Sequence, residues 1–183
     1  AAVCRWLLGG PGRADCETDG GDTPLMLAAW QGQLEVCRLL ASLRADVGHR
    51  NSWGCTAMHK AARMDGAASS LEVLQFLYEQ GLDPCAANCN GHNALHKAAM
   101  HGSAPAARWL LEHAGCRSRA AAAPDRDRNS PSALAWAAGF RELALELRHV
   151  EDVLWLVPAV YHPAKPADGQ AHLPRGSAGL GGG

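Results

Sequence analysis

The first of four related stretches in this 183-residue chain is Thr23-Pro24-Leu25-Met26-Leu27-Ala28-Ala29. The other three are Thr56-Ala57-Met58-His59-Lys60-Ala61-Ala62, Asn93-Ala94-Leu95-His96-Lys97-Ala98-Ala99 and the degraded Ser132-Ala133-Leu134-Ala135-Trp136-Ala137-Ala138. The first alanines of the four alanine pairs, Ala28, Ala61, Ala98 and Ala137, are separated by 33, 37 and 39 residues. Self-similarity at a nearly constant step is typical of repeat proteins, in which each unit packs only on its neighbours.

A second pattern repeats in the same phase. Val36-Cys37-Arg38-Leu39-Leu40 follows Val3-Cys4-Arg5-Trp6-Leu7 by 33 residues, and Ala107-Arg108-Trp109-Leu110-Leu111 continues the pattern further on. Residues 1–8 are therefore interpreted as the closing helix of a partial repeat. Because the chain starts inside this helix without an initiator Met, we expect it to be part of a longer protein.

Each unit is predicted to contain two short helices and an extended return. The motif Thr is a helix N-cap, and Pro24 suits the first helical position because its missing N–H costs nothing there. Asn93 and Ser132 are predicted to cap in place of Thr, and the Ala pairs mark a close approach of neighbouring helices. The predicted helices cover 25–30 and 34–43, 58–64 and 71–79, 95–101 and 104–113, and 133–138 and 141–149, with a further helix compatible with 146–157.

A period near 33 residues that carries this motif resembles the ankyrin repeat. The resemblance implies an all-α solenoid of helix-turn-helix repeats with short β-hairpin fingers, about four repeats and a partial N-terminal one. Gly21, Gly54 and Gly91 then lie in the tight turns of the fingers. The expected divisions are a partial repeat at 1–18, repeats at 19–50, 51–87 and 88–126, a degenerate capping repeat with its helix at 127–162, and a disordered tail at 163–183.

Composition excludes several classes of partner. The formal net charge is −1 and the isoelectric point is near 6.8, so nothing favours nucleic acid or an anionic membrane, which attract basic surfaces. No stretch approaches the roughly 20 apolar residues of a membrane span. Seven cysteines without a disulfide-scaffold spacing indicate reduced thiols. We expect a monomer inside the cell, in the cytoplasm or nucleus, while organelle targeting is neither identified nor excluded.

Several residues have metal-like or catalytic types. Cys85, Cys89, His92, His96 and His101 have spacings compatible with zinc. His96, however, is equivalent to His59, where the resemblance implies hydrogen bonds to the backbone and the motif Thr. No Cys/His pair has an evident orienting third group. We therefore expect no enzymatic activity, no zinc and no other cofactor.

Two groups of cations are interpreted as solvated. Lys60 and Lys97 share one repeat position, which favours an exposed helix face. The third return is six residues longer and carries an Ala run at 120–123, which predicts a flexible loop. Its arginines alternate with Asp125 and Asp127, and they are Arg117, Arg119, Arg126 and Arg128.

The resemblance implies a non-catalytic protein-interaction module or scaffold that binds another protein in a concave groove of finger tips and first helices. The alternatives are a substrate-targeting or autoinhibitory segment of a larger enzyme or signalling protein, and a redox or metal sensor that uses the cysteines. A Trp53 that folds onto its own finger remains an alternative to a binding residue. The residues carried over by phase are, for partner binding, Trp30, Gln31, Ser52, Trp53, Cys55, Arg63, Met64, Asn90, His92, Met100 and His101, and, for the structural motif, Thr23, Thr56, His59 and His96.

Overall fold

The computed structural model describes residues 15–63 and 68–156, without the side chains of residues 68–70. Most of the predicted partial repeat, Met64 and the predicted tail lie outside these residues. The described residues form helices and turns and contain no strand. The helices are α1 (Pro24–Trp30), α2 (Leu34–Ser42), α3 (Ala57–Ala61), α4 (Ala68–Glu79), α5 (Ala94–Met100), α6 (Ala104–Glu112), α7 (Pro131–Ala137) and α8 (Arg141–Leu156).

The helices are arranged as four stacked pairs. The first helices α1, α3, α5 and α7 pack on one another in sequence, and the second helices α2, α4 and α6 do the same. The alanines of the repeated motif lie in the contacts between first helices, where Ala61, Ala98 and Ala99 are completely buried. The all-α solenoid predicted from the motif is confirmed. Among the described residues, no helix has both the length and the apolar character needed to cross a membrane.

Local signals account for the helix starts. Thr23 Oγ1 accepts a hydrogen bond from the Met26 N–H at 3.4 Å, and Pro24 fills the first helical position of α1. Asn93 Oδ1 accepts from the His96 N–H at 3.1 Å in the same way. Each side-chain oxygen satisfies a backbone donor that has no partner inside its helix.

The predicted phase of the fourth unit is wrong by two residues. The N-cap of α7 is Ser130, whose Oγ accepts from the Ala133 N–H, and not Ser132. Ser130-Pro131 therefore corresponds to Thr23-Pro24, and the buried alanine of this unit is Ala135. The steps between motif starts become 33, 37 and 37 residues, from Thr23 to Thr56, Asn93 and Ser130.

The two helices suggested for residues 141–149 and 146–157 are one continuous helix, α8. Its buried face carries Leu143, Ala144 and Leu147, which pack in the core. One turn later the same helix buries Glu151, which accepts hydrogen bonds from the hydroxyl of Ser130 and the N–H of Ser132. Contact between α8 and the start of α7 thus extends to Glu151.

The returns between helix pairs contain tight turns in place of the implied β-hairpin strands. Four five-residue turns, which we call fingers, cover residues 18–22, 51–55, 88–92 and 125–129. In each finger the first residue donates its N–H to the carbonyl of the fifth at 2.8 to 3.0 Å. The fourth residue donates back to the first at 2.8 to 3.1 Å.

Backbone hydrogen bonds join the fingers into a row. Ser52 donates to Gly20, Cys89 to Trp53 and Arg126 to Asn90, at 3.0 to 3.2 Å. The fourth finger residue has a positive φ throughout, and in the first three fingers it is glycine. A Cβ on Gly54 or Gly91 would approach the backbone of the following finger to 3.2 or 3.3 Å. These glycines therefore permit both the turn and the close approach.

The fourth finger departs from this rule because Arg128 occupies the glycine position with a φ of 65°. No further finger follows it among the described residues, so its exposed side chain has room. The left-handed conformation still costs a non-glycine residue roughly 1–2 kcal/mol. Arg128 therefore keeps a conformational strain that the other fingers avoid.

Arg128→Gly should raise the free energy of unfolding by about 0.5 to 1 kcal/mol, since relief of the strain exceeds the added flexibility of glycine in the unfolded chain. Urea unfolding followed by circular dichroism measures the change. Gly91→Ala is the matched control, and it should destabilise the protein because its Cβ meets the Asp125–Arg126 backbone at 3.3 Å. Destabilisation by Arg128→Gly would show that the arginine side chain makes a contact worth more than the strain.

The long third return is ordered, which corrects the prediction of a flexible, solvated loop. Ala121 and Ala122 are buried. Arg119 Nε donates to the Leu154 carbonyl at 2.7 Å and its guanidinium lies over Trp155, which ties the return to α8. The apolar run at 120–123 thus supplies core contacts.

Candidate functional site

The first residue of each finger organises a polar ladder. Asn51 Oδ1 accepts from the N–H groups of Trp53 and Cys55, and Asn88 and Asp125 bind their own fingers in the same way. The outer atom of each side chain reaches the fifth residue of the preceding finger. These contacts are Asn51 Nδ2 to Asp22 Oδ1 at 2.7 Å, Asn88 Nδ2 to Cys55 Sγ at 3.2 Å, and His92 Nε2 to Asp125 Oδ2 at 2.9 Å.

This ladder explains why His92, although predicted to face a partner, is buried. Its Nε2 donates to the Asp125 carboxylate, and its Nδ1 accepts from the Lys97 ammonium at 3.2 Å. Asp125 provides no donor, so the fifth residue of the preceding finger has to provide one. His92 therefore links neighbouring fingers and is buried rather than exposed at the surface.

The motif histidines are buried inside the stack. His59 Nδ1 accepts from the Thr56 N–H at 3.1 Å, and Nε2 donates to the His92 carbonyl at 2.9 Å. His96 makes the corresponding contact with Asn93 through Nδ1, but its Nε2 has no hydrogen bond of ordinary geometry among the described residues, although the Ala123 carbonyl lies near it. Burial lowers the pKa of both imidazoles from 6.5 to about 4, so both are neutral at pH 7.

Lys60 also differs from its prediction, because it is buried rather than on a solvated face. Its ammonium lies 2.7 Å from Asp22 Oδ2. Lys97, at the equivalent position, is half-buried and bonds to His92. Both lysines thus point from the first helices toward the fingers.

The residues considered as zinc ligands point to different partners. Cys85 Sγ lies 3.1 Å from Cys116 Sγ, His92 binds Asp125, and Cys89 is exposed in its finger. Burial raises the pKa of the Cys85 and Cys116 thiols. Within the described part of the chain, no three His, Cys, Asp or Glu side chains are placed to hold a metal ion.

A row of side chains crosses the carboxyl ends of three first helices. The Arg63 guanidinium lies 5.5 Å from the centroid of the Trp30 ring. Arg63 Nε donates to His101 Nε2 at 3.2 Å, which links the end of α3 to the end of α5. Cation–π and hydrogen-bond contacts thus hold the row in one conformation.

Trp53 lies on the fingers. Its ring covers Gly20 of the preceding finger so closely that a Cβ there would be 2.8 Å from the Cζ3 and Cη2 atoms. The side chain is nonetheless 57% exposed, and Trp30 is 41% exposed. Trp53 therefore lies against the preceding finger and stays outside the core.

The other predicted binding residues have mixed exposure. Gln31, Ser52 and Asn90 are exposed, and Met100 and Cys55 are partly buried. We use the name inner surface for the accessible members of the predicted set. They are Trp30, Gln31, Ser52, Trp53, Arg63, Asn90, Met100 and His101.

A second apolar surface was not predicted. Trp136 and Leu145 are 56% and 63% exposed, and with Trp155 they line a groove between α7 and α8. Trp136 occupies the position that holds the second alanine of the pair in the first three units. The correct phase of the fourth unit, read from Ser130-Pro131, would have revealed this large residue.

A family model described as ankyrin repeats (3 copies) matches residues 1–88 and 66–162. The chain belongs to the ankyrin repeat family. Ankyrin repeats generally mediate protein–protein interactions and are typically non-catalytic modules. The repeated caps, buried motif histidines and fingers described above are the ankyrin features of this chain.

The relatives to which the chain is similar differ widely in kind. The chain is 38% identical over 95 residues to Ankyrin repeat and SOCS box protein 16 of Mus musculus, which covers 50% of this chain and 21% of the relative. It is 35% identical over 83 residues to Alpha-latroinsectotoxin-Lt1a of Latrodectus tredecimguttatus, covering 45% and 6%. It is 31% identical over 100 residues to Tyrosine-protein kinase Shark of Drosophila melanogaster, covering 53% and 10%. The chain thus spans only a small part of each relative.

Proposed function

We propose that this ankyrin array is a non-catalytic interaction module that binds a protein partner on its inner surface. The observation that supports this most is the exposure of two tryptophans, Trp30 and Trp53, on an ordered framework. Tryptophan and arginine are enriched among the residues that dominate binding energy at interfaces. Because Arg63 and the finger backbones are already held in place, little conformational entropy is lost when a partner docks.

Trp53→Ala should weaken binding of a protein partner by at least about 2 kcal/mol, the loss typical of a hot-spot residue. The partner would first be obtained by affinity capture and then titrated by calorimetry against the wild type and Trp53→Ala. Since Trp53 is 57% exposed and lies outside the buried core, we expect the melting temperature to stay almost constant.

Glu79→Ala is the control, because Glu79 is exposed at the end of the second helix α4. It should change neither affinity nor stability. Unfolding of the array by Trp53→Ala would make the aromatic a structural residue. Unchanged binding and folding would move the interface to another face.

The likeness to a tyrosine-protein kinase supports a second proposal, in which the array locates a substrate for a larger signalling protein or inhibits it. A partner that binds in trans with the same affinity in the presence of the full-length protein's other domains would argue against inhibition. Determination of the flanking sequence would decide whether a catalytic domain is present.

A further inference from the structure

Lys60 and Lys97 occupy the same position of successive repeats but face different groups. Lys60 binds the carboxylate of Asp22, the fifth residue of the first finger. The fifth residue of the second finger is Cys55, and the groups that act electrostatically on Lys97 are Cys55, Arg63 and Lys60. The repeat position that holds a carboxylate for Lys60 thus holds a thiol for Lys97.

No residue of the described chain replaces that carboxylate. Among the described residues, the Lys97 ammonium donates to Nδ1 of His92, whose other nitrogen is engaged by Asp125. Neither Lys97 nor Arg63 has a carboxylate within ion-pair distance among the described residues. Burial and the nearby charges of Arg63 and Lys60 lower the pKa of Lys97. A half-buried cation without a counter-ion is destabilised by lost hydration and by its like-charged neighbours.

The contacts of Arg63 use only some of its hydrogen-bond donors. Its Nε donates to His101, and the guanidinium plane rests on Trp30. A guanidinium has five N–H donors, so this contact leaves the terminal nitrogens for an acceptor. A carboxylate is the geometric match for such a planar fork.

We propose that Lys97 and Arg63 form a site for the carboxylates of an acidic segment in the protein partner. The inference rests on the proposed function, since it assigns the chemistry of the partner on the inner surface. In this arrangement the partner supplies to the third repeat the counter-ion that Asp22 supplies to the second. Because Cys55 takes the place of the aspartate at this repeat position, Lys97 has no carboxylate from the preceding finger.

The surrounding charge favours separated carboxylates over a dense polyanion. The exposed charges of the fingers are mixed, because Asp19 lies in the first finger and Asp127 stands between Arg126 and Arg128 in the fourth. Nucleic acid binding depends on several neutralised phosphates along an extended basic surface. A site of two cations without an extended basic surface instead matches one or two aspartate or glutamate side chains.

Cys55→Asp tests this site by placing a carboxylate at the position equivalent to Asp22. By analogy with Asp22, the new carboxylate would accept from Asn88 Nδ2 and pair with Lys97. It should therefore compete with the partner and weaken acidic-peptide binding about tenfold, as Lys97→Gln should. Its melting temperature should stay at or above that of the wild type, whereas a disturbed fold would lower it.

The probe is a phage-displayed library of short random peptides, selected on the whole chain. We expect enriched peptides to share Asp or Glu at one or two positions and to lose binding in Trp53→Ala. A Glu→Gln change in the selected peptide should weaken binding to the wild type about tenfold. The same peptide change should have no further effect on binding to Lys97→Gln. This result would show that the peptide carboxylate and Lys97 interact directly.

The outcomes separate the inference from the proposal on which it rests. Peptides that need Trp53 but carry no recurrent acid, or that bind Lys97→Gln and Cys55→Asp as well as the wild type, would overturn the carboxylate site and leave the inner surface intact. Peptides unaffected by Trp53→Ala would overturn the proposed function itself. Failure to enrich any peptide would overturn the assignment of a linear acidic segment.

Discussion

Lowering the pH from 7 to 5 is expected to reduce the free energy of unfolding by about 4 kcal/mol, through two buried histidines. Burial lowers the pKa of His59 and His96 from 6.5 to about 4 in the folded protein. Between those values the unfolded chain binds protons that the folded chain excludes, so stability falls as the pH falls. Each histidine contributes a loss of about 1.4 kcal/mol per pH unit below 6.5.

Urea unfolding at intervals from pH 7 to pH 5 measures this loss. This pH range avoids the carboxylates. The pKa values of Asp125 and Glu146 are lowered in the folded protein from ordinary values of 3.8 and 4.5, so their stabilising contributions are lost only below this range. His59→Gln should be less stable at pH 7 but show about half of the pH dependence, since one titrating group is gone. Constant stability across the window would contradict the neutral, buried state of both imidazoles.

Ala98→Leu is expected to cost up to about 3 kcal/mol. Ala98 is completely buried on α5, which packs against both α3 and α7. Three added carbon atoms would push these first helices apart, because the rigid stack has no empty space to receive them. Thermal unfolding should show a drop of roughly 3 °C for each kcal/mol lost.

The matched control for Ala98→Leu is Ala137→Leu. Ala137 is exposed at the end of α7, so the larger side chain should leave the melting temperature nearly unchanged. Ala122→Leu, which is silent if the third return is a flexible loop, should instead destabilise the protein because Ala122 is 2% exposed. Equal effects at Ala98 and Ala137 would show that the first helices do not pack as described.

Features that depend on a few neighbouring residues could be predicted from the sequence. The caps of α1 and α5, the finger glycines and the number of helix pairs each follow from local chemistry repeated at a regular step. Errors began where the repeat degraded. In the fourth unit two serines compete for one cap, and only the bond from the Ala133 N–H and the burial of Ala135 identify Ser130.

The motif, its period and the helical repeat architecture were contained in the sequence, because propensity, capping and apolar periodicity act within a few residues. The environments of Lys60, His92 and Lys97 were not, since each depends on a partner from another finger or helix. Lys60 and Lys97 have the same local sequence context, yet one meets Asp22 and the other Cys55. Stacking of the repeats brings together residues that are 38 and 42 positions apart in the chain, and it thereby decides which cation is neutralised and which remains open to a partner.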